Sequence, residues 1–91
     1  MSVKIKLFAN IAEKAGQRII EVDASNVREA FEILEERFGG FQGELFKEDE
    51  KNLRDNITVI KDGRNITYLN GLETELKDGD KLSVFPLVGG G

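Results

Sequence analysis

Near the start of the chain Val3, Ile5 and Leu7 alternate with Lys4 and Lys6. That period of two places the apolar side chains on one face of a strand and the lysines on the other. The alternation breaks over residues 9–16 and resumes over residues 18–22, where Ile20 and Val22 share a face. The two runs are expected to pair as an antiparallel hairpin across a long loop, with Ile11 tucked beneath it. The period then changes. Asn26 can cap the free N–H groups of a helix, and Glu29, three positions on, can reach back in a capping-box arrangement. Val27, Ala30, Phe31, Leu34 and Phe38 fall at i, i+3, i+4, i+7 and i+11, flanked by Ile33. The spacing predicts an amphipathic helix with Arg28, Glu32, Glu35 and Glu36 turned to water, and Gly39-Gly40 to stop it. A phenylalanine stripe at this spacing reads as core rather than as a partner groove.

Residues 41–56 show no period. Glu44, Glu48, Asp49, Glu50 and Asp55 are mixed with Lys47, Lys51 and Arg54, with Leu45, Phe46 and Leu53 as apolar anchors, which predicts a solvated loop. The carboxylates lack the alternating spacing of a calcium loop, so no metal site is expected. Residues 57–60 are β-branched and apolar, and Asp62-Gly63 is a pair preferred by two-residue type I′ turns. A hairpin into residues 65–68 follows. Asn70-Gly71 turns again, residues 72–76 cross over, and residues 77–80 turn tightly into a last strand at 81–85. Hairpin, helix, then further strands make an α+β plan, with one main helix packed on one face of a mixed sheet.

Composition narrows the function. Ninety-one residues suffice for one small domain. With 13 basic and 17 acidic residues and a net charge of −4, the scattered cations form no stripe to neutralise phosphates, and nucleic acid is not expected as a partner. No apolar run approaches the ~18 residues of a membrane span and no signal peptide opens the chain, so a cytoplasmic protein is expected. There is no cysteine and no histidine, which removes the usual nucleophiles, general bases and metal ligands. Catalysis by the chain alone is therefore not expected. Two Asn-x-Thr sequons, at Asn56 and Asn65, would matter only in a secreted protein.

What remains is the end of the chain, where Phe85 and Pro86 lead through Leu87 and Val88 into Gly89, Gly90 and Gly91. We read residues 1–86 as the folded domain and 87–91 as a flexible glycine tail. Five residues reach roughly 17 Å beyond Pro86 when extended. Glycines without Cβ can thread a channel too narrow for side chains, and the Gly91 carboxylate is then the exposed reactive group.

Three stretches, taken together, resemble the MoaD/ThiS family of ubiquitin-like sulfur carriers. They are Leu7-Phe8-Ala9 with Glu13 and Gly16, the Leu76-Lys77-Asp78-Gly79-Asp80 turn, and Phe85-Pro86 leading to Gly90-Gly91. The resemblance spans nearly the whole chain and implies a β-grasp fold. Among its members the chain looks most like the small subunit of molybdopterin synthase, because ThiS carriers tend to be shorter and to lack a segment like 41–56. Leu87 stands where the family commonly has a second proline, Gly89 is an added glycine, and Ala12 stands where the family's loop often carries an arginine.

The resemblance further implies that a ubiquitin-activating-enzyme-like adenylyltransferase uses ATP to adenylate Gly91. Sulfur then displaces AMP, and the thiocarboxylate donates sulfur to a pterin precursor inside the large subunit of molybdopterin synthase. No cofactor is bound by the chain itself. Phe85 and Leu69 match the family's subunit interface and are expected, with Pro86, Leu87 and Val88, to meet the partner. Three alternatives stay open: a modifier joined to lysines through Gly91, a sulfur carrier for thiamine, and an interaction module with an inert tail.

Overall fold

The computed structural model describes residues 2–49 and 51–86. Five strands form one mixed sheet: β1 (Ser2–Leu7), β2 (Ile19–Asp23), β3 (Ile57–Lys61), β4 (Arg64–Asn65) and β5 (Lys81–Pro86), in the order β2-β1-β5-β3-β4. β1 runs antiparallel to β2 and parallel to β5, and β3 runs antiparallel to both β5 and β4. The last strand of the chain is thus the middle of the sheet. Val3, Ile5, Leu7, Ile20, Val22, Val59, Leu82 and Val84 are buried on one face. Against them the main helix, α2 (Val27–Phe38), lays Val27, Ala30, Phe31 and Leu34. Strand alternation and helix stripe are as the sequence predicts. The cap also forms: Asn26 Oδ1 accepts from the Glu29 N–H at 2.8 Å, and Glu29 Oε1 accepts from the Ser25 N–H at 2.9 Å.

Several segments depart from expectation. Residues 9–16 are not a long loop. Ala9–Ala15 is a helix, α1, that buries Ile11 and Ala15 four residues apart, and Gly16 closes it in the left-handed region at φ 72°. Residues 65–68 do not continue a hairpin strand, because the Asn65 side chain accepts from the Thr67 N–H at 2.9 Å and starts a 3₁₀ turn, Ile66–Tyr68, that buries Ile66. β4 is therefore only two residues long. The turn before it does have both central residues at positive φ, Asp62 at 47° and Gly63 at 90°, as a type I′ turn requires.

Residues 41–56 are more ordered than a solvated loop. Gln42–Leu45 forms a short helix, α3, and Phe41, Leu45 and Phe46 are buried, with Phe46 bridged to Leu53. Two α2 residues expected in water serve this region instead. Glu35 accepts from the N–H groups of Phe41 and Gln42 at 3.3 and 2.6 Å, and Arg28, which also pairs with Glu73, donates to the Lys51 carbonyl at 3.3 Å.

The turn at residues 77–80 is tied to the start of β1. The Asp78 carboxylate accepts from the Ser2 N–H, the Gly79 N–H donates to the Ser2 carbonyl, both at 2.8 Å, and the Lys4 N–H donates to the Asp80 carbonyl at 3.0 Å. Asp80 Oδ2 accepts from the Lys77 N–H at 2.7 Å and lies 3.4 Å from Lys61 Nζ. Partial burial alone would raise the Asp80 pKa, but the Lys77 N–H and the Lys61 ammonium outweigh it and hold the carboxyl below the ordinary 3.8. A lowered folded-state pKa contributes stability that is complete above the unfolded value and is lost as pH falls through the folded one. Asp80→Asn is accordingly expected to cost about 1 kcal/mol at pH 7, after allowing for solvent screening. Urea midpoints of the parent and this variant should converge only below pH 3.8; an undiminished gap there would show that the charge is not the cause.

Candidate functional site

β5 is held by β1 and β3 together as far as Val84, and by β3 alone over Phe85 and Pro86, where the domain hands over to its C-terminal residues. Pro86 is opposite Ile57, Phe85 opposite Thr58, and Val84 pairs with both Val59 and Leu7. The Phe85 side chain falls on the face away from α2, half-buried. There it stacks on Phe8, with ring centroids 4.3 Å apart and planes 16° from parallel, and Lys6 Nζ sits 5.4 Å from the Phe8 centroid. A cation over one aromatic that is stacked on a second favours this arrangement of the three side chains. Gly89, Gly90 and Gly91, with Leu87 and Val88, lie outside the described residues.

Of the residues predicted to meet a partner, Phe85 and Pro86 share this position and Leu69 does not. Leu69 follows the 3₁₀ turn beyond β4, with β3 standing between that strand and β5. It is half-buried, beside Tyr68, which is 86% exposed. Neither Phe85 nor Leu69 belongs to the buried core. Phe8, named in the sequence only as part of the Leu7-Phe8-Ala9 stretch, is a site residue that sequence reasoning did not assign. Its signal was an aromatic immediately after β1, but only the parallel pairing of β1 with β5 brings it to Phe85, and period-2 patterning does not reveal which strands are neighbours.

Around the stack the outer sheet face carries Lys4, Lys6, Lys81 and Ser83, with Ile19, 55% exposed, directly opposite Lys6. Beside it a cleft of about 680 Å³ opens between β1, α1 and the start of β2, lined by Lys6, Phe8, Ala9, Ala12, Glu13 and Arg18 among others. Ala9 holds a left-handed φ of 54°, a strained value for a residue with Cβ. Ala12, where the resemblance leads one to expect arginine, is thus a small wall residue of a cleft that carries two cations from other positions.

The site has no conventional catalytic set. Among the described residues two carboxyls are displaced from their ordinary value, both downward. Asp49 is held down by hydrogen bonds from the Lys51 and Asn52 N–H groups, and Asp80 lies at the opposite end of β5 from Phe85. Among the described residues no group of three acidic side chains is placed to hold a metal ion, and no helix is long and apolar enough to cross a membrane. What the arrangement offers is a rigid base for a chain end and a basic, partly apolar surface beside it.

Comparison with known proteins agrees with this geometry. The ThiS family pattern matches residues 5–91. Small archaeal modifier protein 3 of Haloferax volcanii is 35% identical over 94 residues, covering all of both chains. The solution structure of small archaeal modifier protein 1 from Methanosarcina acetivorans is 37% identical and superposes with a TM-score of 0.87, over 99% of this chain and 96% of that one. A chain of the Amycolatopsis orientalis BexX/CysO complex is 30% identical with a TM-score of 0.88, over 98% and 99%. With its β-grasp sheet and a family match that runs to the terminal glycine, the chain belongs to the ThiS family of ubiquitin-like sulfur carriers and modifiers.

Proposed function

We propose that this chain is the substrate and arm of a sulfur-transfer reaction carried at Gly91. The observation that carries the reading is the anchoring of Phe85 and Pro86 at the end of the central strand, which gives the terminal glycines a fixed point of departure. A carboxylate resists nucleophilic attack because of its own charge. Attack of the Gly91 carboxylate on the α-phosphorus of ATP, in the active site of an adenylyltransferase, releases pyrophosphate and leaves an acyl adenylate. Hydrosulfide, released by a sulfur donor, then attacks the acyl carbon and forms the C–S bond as AMP departs with the bonding pair, its S–H proton being lost to water. The resulting thiocarboxylate is a soft, ionised nucleophile at the end of an arm of roughly 17 Å. As its recipient we propose a pterin precursor held by the large subunit of molybdopterin synthase, with the steps taking place in the cytoplasm.

A second reading is transfer of the same adenylate to a lysine amine, giving an isopeptide bond. It is favoured by the full-length likeness to small archaeal modifier protein 3. The two readings separate by mass. Chain isolated from its cells is expected to carry sulfur in place of one terminal oxygen, about 16 Da heavier. A remnant of residues 82–91, left on lysines of other proteins by tryptic cleavage after Lys81, with no mass change at Gly91, would select the modifier. Neither product would reject both.

A further inference from the structure

Asn70-Gly71 forms the junction between the two 3₁₀ segments, Ile66–Tyr68 and Gly71–Glu73. Nowhere else does an asparagine of this chain precede a glycine; Asn10, Asn26, Asn52, Asn56 and Asn65 are each followed by Ile, Val or Leu. The backbone nitrogen that follows an asparagine can attack that asparagine's own Cγ and close a five-membered ring. A glycine there neither shields the nitrogen nor stiffens the backbone, as a branched side chain does. Asn70 is exposed and its side chain does not cap the turn. What opposes the reaction is the backbone. Ring closure needs the Gly71 nitrogen on the side of Asn70 Cβ, whereas the Asn70 ψ of 27° turns it toward Asn70's own backbone nitrogen. Hydrogen bonds on both sides of the Asn70 Cα–C bond hold that angle. The Asn70 N–H donates to Thr74 Oγ1 at 3.1 Å, and the Asn70 carbonyl accepts from the Glu73 N–H at 3.0 Å. The Gly71 carbonyl accepts from the Thr74 hydroxyl at 2.7 Å and from the Thr74 N–H at 3.1 Å. Among the described residues Thr74 is the one polar side chain in the buried class, 5% exposed, and its carbonyl accepts from the Val27 N–H at 3.1 Å, which anchors the brace to the first turn of α2.

We propose that Asn70 is a site of spontaneous deamidation and that the Thr74 hydroxyl is its brake. When the turn opens, the Gly71 nitrogen gives its proton to water and bonds to Asn70 Cγ. The Cγ–Nδ2 bond breaks as Nδ2 takes up a proton and departs as ammonia. Water then opens the cyclic imide at either of its carbonyls, giving aspartate or isoaspartate. One water enters and one ammonia leaves, with no change of oxidation state. Either product sets a new carboxylate between the exposed Tyr68, the half-buried Leu69 and Glu73. Isoaspartate also lengthens the main chain by one methylene, so the Thr74 oxygen can no longer meet both the Asn70 N–H and the Gly71 carbonyl. Conversion is therefore one-way, and it marks the age of the chain on the surface where Leu69 stands. The inference does not depend on the chemistry proposed at Gly91.

The test incubates the full chain and its Thr74→Val variant at mildly alkaline pH, both folded and in urea. The tryptic peptide of residues 65–77, which carries Asn65 as well as Asn70, is followed for a gain of about 1 Da and fragmented to locate it. In urea both chains are expected to deamidate at Asn70 at one common rate while Asn65 stays intact over the same interval. Folded, Thr74→Val is expected to deamidate about tenfold faster than the parent, because the turn opens more often once the two hydroxyl bonds are gone. Thr74→Ser keeps the hydroxyl and should match the parent. Ile20→Ala loosens the core at the far edge of the sheet, on β2, and should match the parent too, which separates a local brake from a general loss of stability. Asn70 reacting no faster than Asn65 in urea would overturn the site. Thr74→Val at the parent rate, or Ile20→Ala as fast as Thr74→Val, would overturn the brake.

Discussion

Deletion of Gly91 is expected to abolish activation of the chain while leaving its melting temperature at the parent value. Removing one residue draws the carboxylate back by roughly 3.5 Å. A displacement of about 1 Å can already cost a hundredfold in a reaction that depends on the alignment of two atoms, so the loss should exceed a hundredfold. The domain does not depend on that residue, since the core is built from side chains between Val3 and Val84. Gly90→Val should fail in the same assay for a different reason, because a β-branched side chain stiffens and thickens the segment proposed to thread a narrow channel of the partner. Each variant is mixed with the activating enzyme, ATP and a sulfur donor, and pyrophosphate exchange and the mass of the C-terminal peptide are followed. Parent rates in both would remove the mechanism and leave an interaction module with an inert tail as the better account.

Phe31→Ala is expected to cost about 3–5 kcal/mol, the range for a fully buried phenylalanine replaced by a methyl group. Phe31 is 1% exposed, projects from the middle of α2 onto the sheet, and meets Phe46 edge to face at 6.1 Å and 80°. Its removal therefore loosens two contacts at once, helix on sheet and helix on the segment after α3. Against the 5–15 kcal/mol that holds a typical domain together, such a loss leaves a protein unfolded at modest urea concentrations. Equilibrium urea titration reads it directly. A change below about 1 kcal/mol would show that Phe31 is not a keystone of this core.

The features legible in the sequence were those written in neighbouring residues. Val3-Lys4-Ile5-Lys6-Leu7 alternates, Val27 to Phe38 repeats with the helical period, Asn26 and Glu29 mark a helix start, and Asp62-Gly63 marks a turn. Each is settled within a few positions. α1 was hidden because seven residues give little room for a period, although Ile11 and Ala15, four apart and followed by Gly16, carried its signature. The order of residues 41–56 was illegible for a different reason. It depends on Glu35, a residue of the preceding helix whose carboxylate stands in for the backbone partners that the Phe41 and Gln42 N–H groups lack. The 3₁₀ turn after β4 replaces a strand because a side chain at Asn65 competes with the ladder. At the site, Phe85 and Pro86 could be singled out from the chain end, whereas Phe8, Lys6 and Arg18 became a surface only through pairings of β1 with β5 and with β2. No local pattern records which strand lies beside which.

The place of β5 in the sheet also governs how the domain bears a mechanical load. A partner that draws the chain end into a channel pulls along β5, which is bonded to β1 on one edge and to β3 on the other. Because the force runs along the strand, it works to slide β5 past both neighbours, and the hydrogen bonds of the two ladders resist together. Peeling an edge strand would instead break such bonds one after another. β1 begins at Ser2 and runs parallel to β5, so tension between the two ends of the chain also acts as shear on the pairing of Lys4 through Leu7 with Lys81 through Val84. A terminal residue hung from an edge strand would unravel its own domain when hauled; hung from the middle strand, the end can be tugged while the domain acts as a grip.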